Sequence, residues 1–252
     1  MTIWSKQKKW NESNIFLIMC HWCPSHPYDQ IPADNKTFLD LWYILVYPNY
    51  LWTWGSDWIC NFDNSIESIL ITIDFIKKWN SIDERSWKQL TWNIKQIILI
   101  WASFWWSVVL CAWAKSKHID KIISCSPVVD WKYHNLNNNE SSLEDTALFL
   151  GKVYNNLWRC EKEDLKRFSK WKINVNPIEY IEDLKNKKIL IIHDKRDPQI
   201  LLEKIIFFFN KLYNGSNNKI LYLQNKNQHI LLHHLNQKSI FDKVNNFILD
   251  EY

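Results

Sequence analysis

The segment Ile98-Leu99-Ile100-Trp101-Ala102-Ser103-Phe104-Trp105-Trp106-Ser107 places a serine between an apolar run and the start of a helical pattern. With glycine at 101, 105 and 106 it reads strand, G-x-S-x-G-G, helix, which is the nucleophile elbow. There the serine sits on a sharp, strained turn, and small neighbours let strand and helix pass closely. A serine so placed attacks a carbonyl carbon when a nearby base takes its proton. Tryptophan is sterically among the worst choices at 101 and 105. The plainer reading is a serine in an ordinary strand-to-helix turn. A second constellation is Cys20-His21-Trp22-Cys23-Pro24, whose C-x-x-C could be a redox pair or part of a zinc site. No second cysteine pair completes a metal site and Cys20 falls in an apolar run, so no metal or cofactor is called for.

The tryptophans are the anomaly of the composition. Ordinary usage of about 7% predicts roughly 18 glycines in a chain of this length. The chain has 3 glycines and 17 tryptophans among 252 residues. A fold with so little glycine has few ways to make positive-φ turns. There are also 32 Ile, 27 Lys and 26 Asn against 4 Arg, the bias of a very AT-rich gene. Some bacterial codes read UGA as glycine where others read tryptophan, and the sequence reads as translated with the wrong one. Glycine at tryptophan positions repairs several places independently. His21-Trp22-Cys23-Pro24 becomes H-G-x-P, an oxyanion-loop pattern. Asp40-Leu41-Trp42-Tyr43 gains the L-G-Y that leads into a strand. Pro48–Trp58 becomes a flexible glycine-rich loop, and Lys77-Lys78-Trp79-Asn80 gains a glycine cap behind a helix.

Around these residues, short apolar runs alternate with helical periodicity, the mark of a βαβ architecture with a mostly parallel, buried sheet. The expected strands are Ile15–Cys20, Tyr43–Tyr47, Gln96–Ile100, Ile119–Ser124, Ile189–His193 and Lys219–Leu223. Three helical stripes stand out: Ile66, Ile69, Leu70, Ile73 and Ile76; Ile200, Ile205, Phe208 and Leu212; and Ile240, Val244, Phe247 and Ile248. From Trp131 to Tyr180 the rhythm breaks into a polar excursion with helical segments around Leu143–Tyr154 and Glu161–Phe168. That reads as an insertion over the carboxyl edge of the sheet, where open α/β sheets place ligands. A net charge of +4 and scattered lysines argue against a nucleic-acid surface. No apolar run reaches the 18 or so residues of a membrane span, and the N-terminal pattern is not that of a signal peptide. The six cysteines lie mostly singly in apolar runs, as reduced thiols of a cytoplasmic protein do.

On these motifs the chain resembles an α/β-hydrolase, and specifically the catalytic domain of the prolyl oligopeptidase family of serine peptidases. The resemblance runs from about Ile15 to the C-terminus. It rests on the His21 loop, the Asn49–Trp58 loop, the Ser103 elbow, Ser126-Pro127-Val128-Val129-Asp130-Trp131, and two later segments in the order Ser, Asp, His. It implies one α/β-hydrolase domain over 1–252, a mostly parallel central sheet flanked by helices, and a short helical cap at 131–180. The family pattern of strand then H-G-x-x-D maps the acid onto Asp197 in Ile191–Pro198. Asp194 holds the usual glycine position there and remains a second candidate, while a plain loop aspartate ahead of Pro198 is the simpler account. The base maps onto His229, which follows the last strand. His233 and His234 read as surface residues of the terminal helix, and His118 and His134 have no catalytic claim. The implied mechanism has Ser103 attacking a carbonyl, His229 moving the proton and Asp197 orienting the histidine, with the backbone N–H groups of Phe104 and Cys23 binding the oxyanion.

The resemblance implies a peptidase acting on short peptides. Two departures bear on that: the family's N-terminal β-propeller is absent, and Leu51 stands where related peptidases carry arginine. A carboxylesterase or thioesterase of the same fold is the alternative, and a non-catalytic hydrolase-fold binding protein is the alternative from another class. The expected partners are a small-molecule or peptide substrate, with no nucleic acid and no membrane. A homodimer is left open.

Overall fold

A computed structural model describes residues 2–5, 13–20, 35–50, 65–83, 86–103, 106–132, 142–153, 162–213, 215 and 218–251. In chain order these form β1 (Thr2–Trp4), β2 (Ser13–Cys20), α1 (Lys36–Asp40), β3 (Ile44–Tyr47), α2 (Ser65–Lys77), β4 (Asn80–Ile82), β5 (Gln89–Thr91), β6 (Asn93–Ala102) and α3 (Trp106–Lys115). There follow β7 (Lys121–Cys125), α4 (Leu143–Val153), α5 (Lys162–Ser169), α6 (Ile181–Leu184), β8 (Lys188–Asp194), α7 (Leu202–Leu212), β9 (Lys219–Gln224) and α8 (Lys238–Leu249). Seven strands make one sheet in the order β1-β3-β2-β6-β7-β8-β9. Every neighbouring pair is parallel except β1, which runs antiparallel along β3. All six expected strands are present, with no end moved by more than three residues. This is the α/β-hydrolase architecture that the motifs imply.

The sheet is buried on both faces, which is why its strands read as continuous apolar runs rather than alternating ones. Successive side chains go to opposite cores. In β2, Phe16, Ile18 and Cys20 join a core with α2, α3 and α7, while Ile15, Leu17 and Met19 join one with α1 and α8. In β6, Ile97, Leu99 and Trp101 face the first core and Ile98, Ile100 and Ala102 the second. The stripe of α2 and that of α8 are buried as their spacing requires, with Ile69, Ile73, Ile240 and Val244 all fully covered.

Two buried lysines fasten the sheet to its helices. The Lys121 ammonium donates to the carbonyls of Phe247 and Ile248 at the C-terminus of α8 and pairs with Asp250 at 2.9 Å. Lysine there satisfies orphan carbonyls and complements the helix dipole. Lys219 donates to the carbonyls of Lys185, at 2.8 Å, and of Lys187. Burial lowers the Lys219 pKa to about 8.

Between β7 and β8 the chain makes α4 and α5, the two helical segments expected in the excursion. Its two ends meet at Asn176, which is buried. The Asn176 amide donates to Asp130 at 3.1 Å, and its carbonyl accepts from the Trp131 N–H at 3.1 Å. Among the described residues no helix is long and apolar enough to cross a membrane.

Candidate active site

Four adjacent parallel strands release the site residues at their carboxyl ends. Ser103 follows β6 directly, Ser126 follows β7, Asp197 lies three residues past β8 and His229 five past β9. Ligands of open α/β sheets bind along this edge.

Ser103 has φ 62, a left-handed conformation that an L-residue holds only at a cost. That is the strained turn of an elbow, and it lifts the hydroxyl off the strand end. The Ser103 Oγ lies 2.8 Å from His229 Nε2. His229 Nδ1 lies 3.1 and 3.0 Å from the two carboxylate oxygens of Asp197. With Asp197 ionised, Nδ1 carries the proton and donates to it, which leaves Nε2 free to accept from the serine hydroxyl. Ser103, His229 and Asp197 are thus brought together in the order their chemistry requires.

Asp197 is buried and fully occupied. Its Oδ1 accepts the backbone N–H of Gln199 at 2.8 Å and of Ile200 at 3.1 Å, and its Oδ2 accepts the Ser126 hydroxyl at 2.6 Å. Burial alone raises the pKa of this carboxyl. The hydrogen bond and charge of His229, the Ser126 hydroxyl and the Gln199 amide outweigh that and hold it below the usual aspartate value. A second buried imidazole, His193, places Nδ1 3.8 Å from Asp197 Oδ2. Burial lowers its pKa in spite of the opposing charge of Asp197.

Asp194, the other candidate for the acid, does not meet His229. Its carboxylate accepts the backbone N–H groups of Arg196 at 2.9 Å, Lys226 at 2.6 Å and Asn227 at 3.2 Å. Sequence reasoning took Asp194 only as a rival for the acid, and it named Ser126 within the motif after β7 and His193 within the H-G-x-x-D pattern without giving either a role. His233 and His234 lie on the 3-10 turn Leu232–Asn236 ahead of α8 rather than on the terminal helix itself. His233 is exposed, and His234 Nδ1 accepts the Leu231 N–H at 2.9 Å. His118 is exposed beside Lys77, 2.7 Å from its ammonium. The proposed oxyanion donors Phe104 and Cys23 lie outside the described residues, as do His134, the His21 loop and residues 51–64. Cys20 ends β2 fully buried, with burial pushing its thiol pKa far up.

The tryptophan two residues before Ser103 is accommodated, contrary to the steric expectation. Trp101 is fully buried with its ring 6.1 Å from that of Tyr50, and its indole N–H finds no acceptor among the described residues. The opposite case is set by Trp92 and Trp113, buried rings whose indole N–H groups donate to the carbonyls of Ile76 at 2.8 Å and Ile119 at 2.9 Å.

Strand order, elbow and site edge together define the α/β-hydrolase fold. The chain matches no family model and no curated protein. Among solved structures it is similar to the Pyrococcus furiosus esterase Pf2001, with a TM-score of 0.64 at 15% identity over 94% of this chain and 83% of that one. Est1E from Butyrivibrio proteoclasticus with ferulic acid bound gives a TM-score of 0.66 at 15% identity, covering 99% of this chain and 94% of that one. The α/β hydrolase GrgF from Penicillium sp. sh18 gives 0.64 at 14% identity, covering 96% and 91%. At these identities the likeness is one of fold.

Proposed function

We propose that this protein is a serine hydrolase that cleaves carboxylic esters by nucleophilic acyl transfer. The observation that carries the proposal is the His229 ring, with Nε2 2.8 Å from Ser103 Oγ and Nδ1 3.0 Å from the Asp197 carboxylate. In this reading His229 takes the Ser103 proton as Oγ attacks the ester carbonyl, then delivers it to the leaving alkoxide. Water repeats the sequence on the acyl-enzyme, and Asp197 stabilises the imidazolium throughout. An ester is favoured over a peptide because structures similar to this one include esterases, whereas nothing in the comparisons supports the peptidase reading of the sequence. We also propose that the excursion at 131–180, which carries α4 and α5 and is tied at its base by Asn176, is a cap over the substrate.

The test is reaction with a fluorophosphonate probe and turnover of p-nitrophenyl acetate and butyrate beside a prolyl p-nitroanilide. The expected result is labelling on Ser103, lost in Ser103→Ala, with ester turnover exceeding anilide turnover. Equal labelling of Ser103→Ala overturns the nucleophile. Faster anilide turnover restores the peptidase.

We further propose that several tryptophans are UGA-encoded glycines in the native protein. The support is a glycine count of 3 together with the backbone at Trp42, Trp79, Trp87 and Trp171, where φ is 65, 52, 55 and 52. Mass spectrometry of peptides from the source cells decides it. Glycine mass at these positions is expected, and tryptophan mass ends the proposal.

A further inference from the structure

We infer that Ser126 and Asp194 are positioning residues that grip the His229 loop on either side of the histidine. The inference rests on the reading of His229 as the general base. Residues 225–231 lie between the end of β9 and the 3-10 turn at Leu232, so no strand ladder or helix fixes them. Yet the ring they carry must stay within hydrogen-bond distance of both Ser103 and Asp197.

The loop's backbone N–H groups supply the hold. Upstream of the histidine, Asp194 accepts from Lys226 through Oδ2 and from Asn227 through Oδ1. The Asn227 N–H belongs to a left-handed residue, φ 58, so the carboxylate fixes the turn at its sharpest point. Downstream, the Ile230 N–H donates to Ser126 Oγ at 3.0 Å. The Ser126 hydroxyl in turn donates to Asp197 Oδ2 at 2.6 Å, so a single side chain sets the separation of the acid from the loop that bears the base. Asp194 also accepts from Arg196 on the way to Asp197, which ties the acid loop and the base loop to one carboxylate. Both grips are fully buried. Buried charge-assisted hydrogen bonds to backbone N–H groups are the strong kind.

Ser126 holds its place at a backbone cost. Its φ is 42, and its N–H bonds to the Ile192 carbonyl at 2.9 Å, so a left-handed residue is kept between β7 and β8 at the strand ends. Glycine would take that conformation without strain but would lack the hydroxyl. At position 194 the glycine of the H-G-x-x-D pattern would likewise supply no acceptor for Lys226 and Asn227.

Ser126→Gly relieves the strain and removes the CH2OH side chain with its hydroxyl, and Asp194→Asn keeps the volume while replacing one acceptor oxygen with an NH2. Neither depends on a new fold. The experiment measures kcat and KM for p-nitrophenyl butyrate, melting temperature, and amide hydrogen exchange at Lys226, Asn227 and Ile230. Displacing catalytic atoms by about 1 Å can cost 10²-fold, so kcat is expected to fall by about 10- to 100-fold with KM within about twofold. Exchange should quicken at Ile230 in Ser126→Gly and at Lys226 and Asn227 in Asp194→Asn, with Asp194→Ala more severe than Asp194→Asn. Unchanged kcat in both variants overturns the inference. If the wild type itself hydrolyses no ester, the catalytic reading fails, and unchanged exchange at all three amides then overturns the grip by itself.

Discussion

At the scale of single residues, the site is organised around one saturated carboxylate. Asp197 accepts from His229, Ser126 and two backbone N–H groups, which leaves no lone pair for a competing donor. Two consequences can be measured. Removing triad members costs about 10⁴-fold or more, and the losses are not additive. Asp197→Asn and His229→Ala should therefore each approach the Ser103→Ala background in ester turnover, and their double mutant should fall little further. The second consequence concerns pH. The folded pKa of Asp197 lies below its unfolded value, so its ionised form contributes stability that is present above the ordinary aspartate pKa of about 3.9. That contribution is lost as pH falls through the depressed folded value. Urea unfolding from pH 5 downward should show a steeper loss for the wild type than for Asp197→Asn.

At the scale of elements, the helix ends sort the tryptophans. Among the described residues eight non-glycine positions have positive φ, and four of them are tryptophan. Trp42 follows α1 with its N–H on the Leu39 carbonyl at 3.1 Å, and the next N–H, of Tyr43, reaches Phe38 at 3.2 Å. Trp171 follows α5 in the same way, bonding Phe168 at 2.8 Å while Lys172 bonds Arg167 at 2.7 Å. Both are Schellman motifs, whose left-handed residue is ordinarily glycine. Trp79 occupies the equivalent place behind α2, and Trp87 the turn between β4 and β5. Trp42, Trp79 and Trp87 are all more than half exposed, so little packing is lost with the ring. Each should gain about 1 kcal/mol of stability on replacement by glycine. Trp171→Gly should gain less, because its ring stacks on Trp131 at 5.8 Å. Trp92→Gly and Trp113→Gly should instead lose about 4 kcal/mol or more, from a buried cavity and an orphaned carbonyl. Thermal melts of the six single variants test the division. A fall in Tm for all of them would mean that every one of these rings is structural.

At the scale of the whole molecule, what could be read in advance follows from what leaves a trace in side chains. The parallel strands announce themselves because both faces are buried, so residues Ile15–Cys20 and Ile189–Ile192 are continuous apolar runs. The three-residue strands β1, β4 and β5 do not, because Thr2–Trp4, Asn80–Ile82 and Gln89–Thr91 are too short for a period and are held by backbone pairing. Ser103, Asp197 and His229 came into view through the elbow and the resemblance's H-G-x-x-D pattern and motif order. The work of Ser126 and Asp194 was not, because their partners are main-chain amides, which have no signature in sequence. The strand order also shapes how the chain comes to be folded at all. β2 is an apolar strand whose wide partner is β6, paired from Ser13 to Cys20 against Asn93 to Trp101. During synthesis β3 can cover one edge of β2 soon after it emerges. The other edge waits for the roughly 70 residues up to β6, about 4 to 15 s of translation at 5–20 residues per second. Through that interval Phe16-Leu17-Ile18-Met19 presents an open strand edge to any neighbouring nascent chain, so the yield of folded protein should depend on how crowded the polysome is and on which chaperone reaches that edge first.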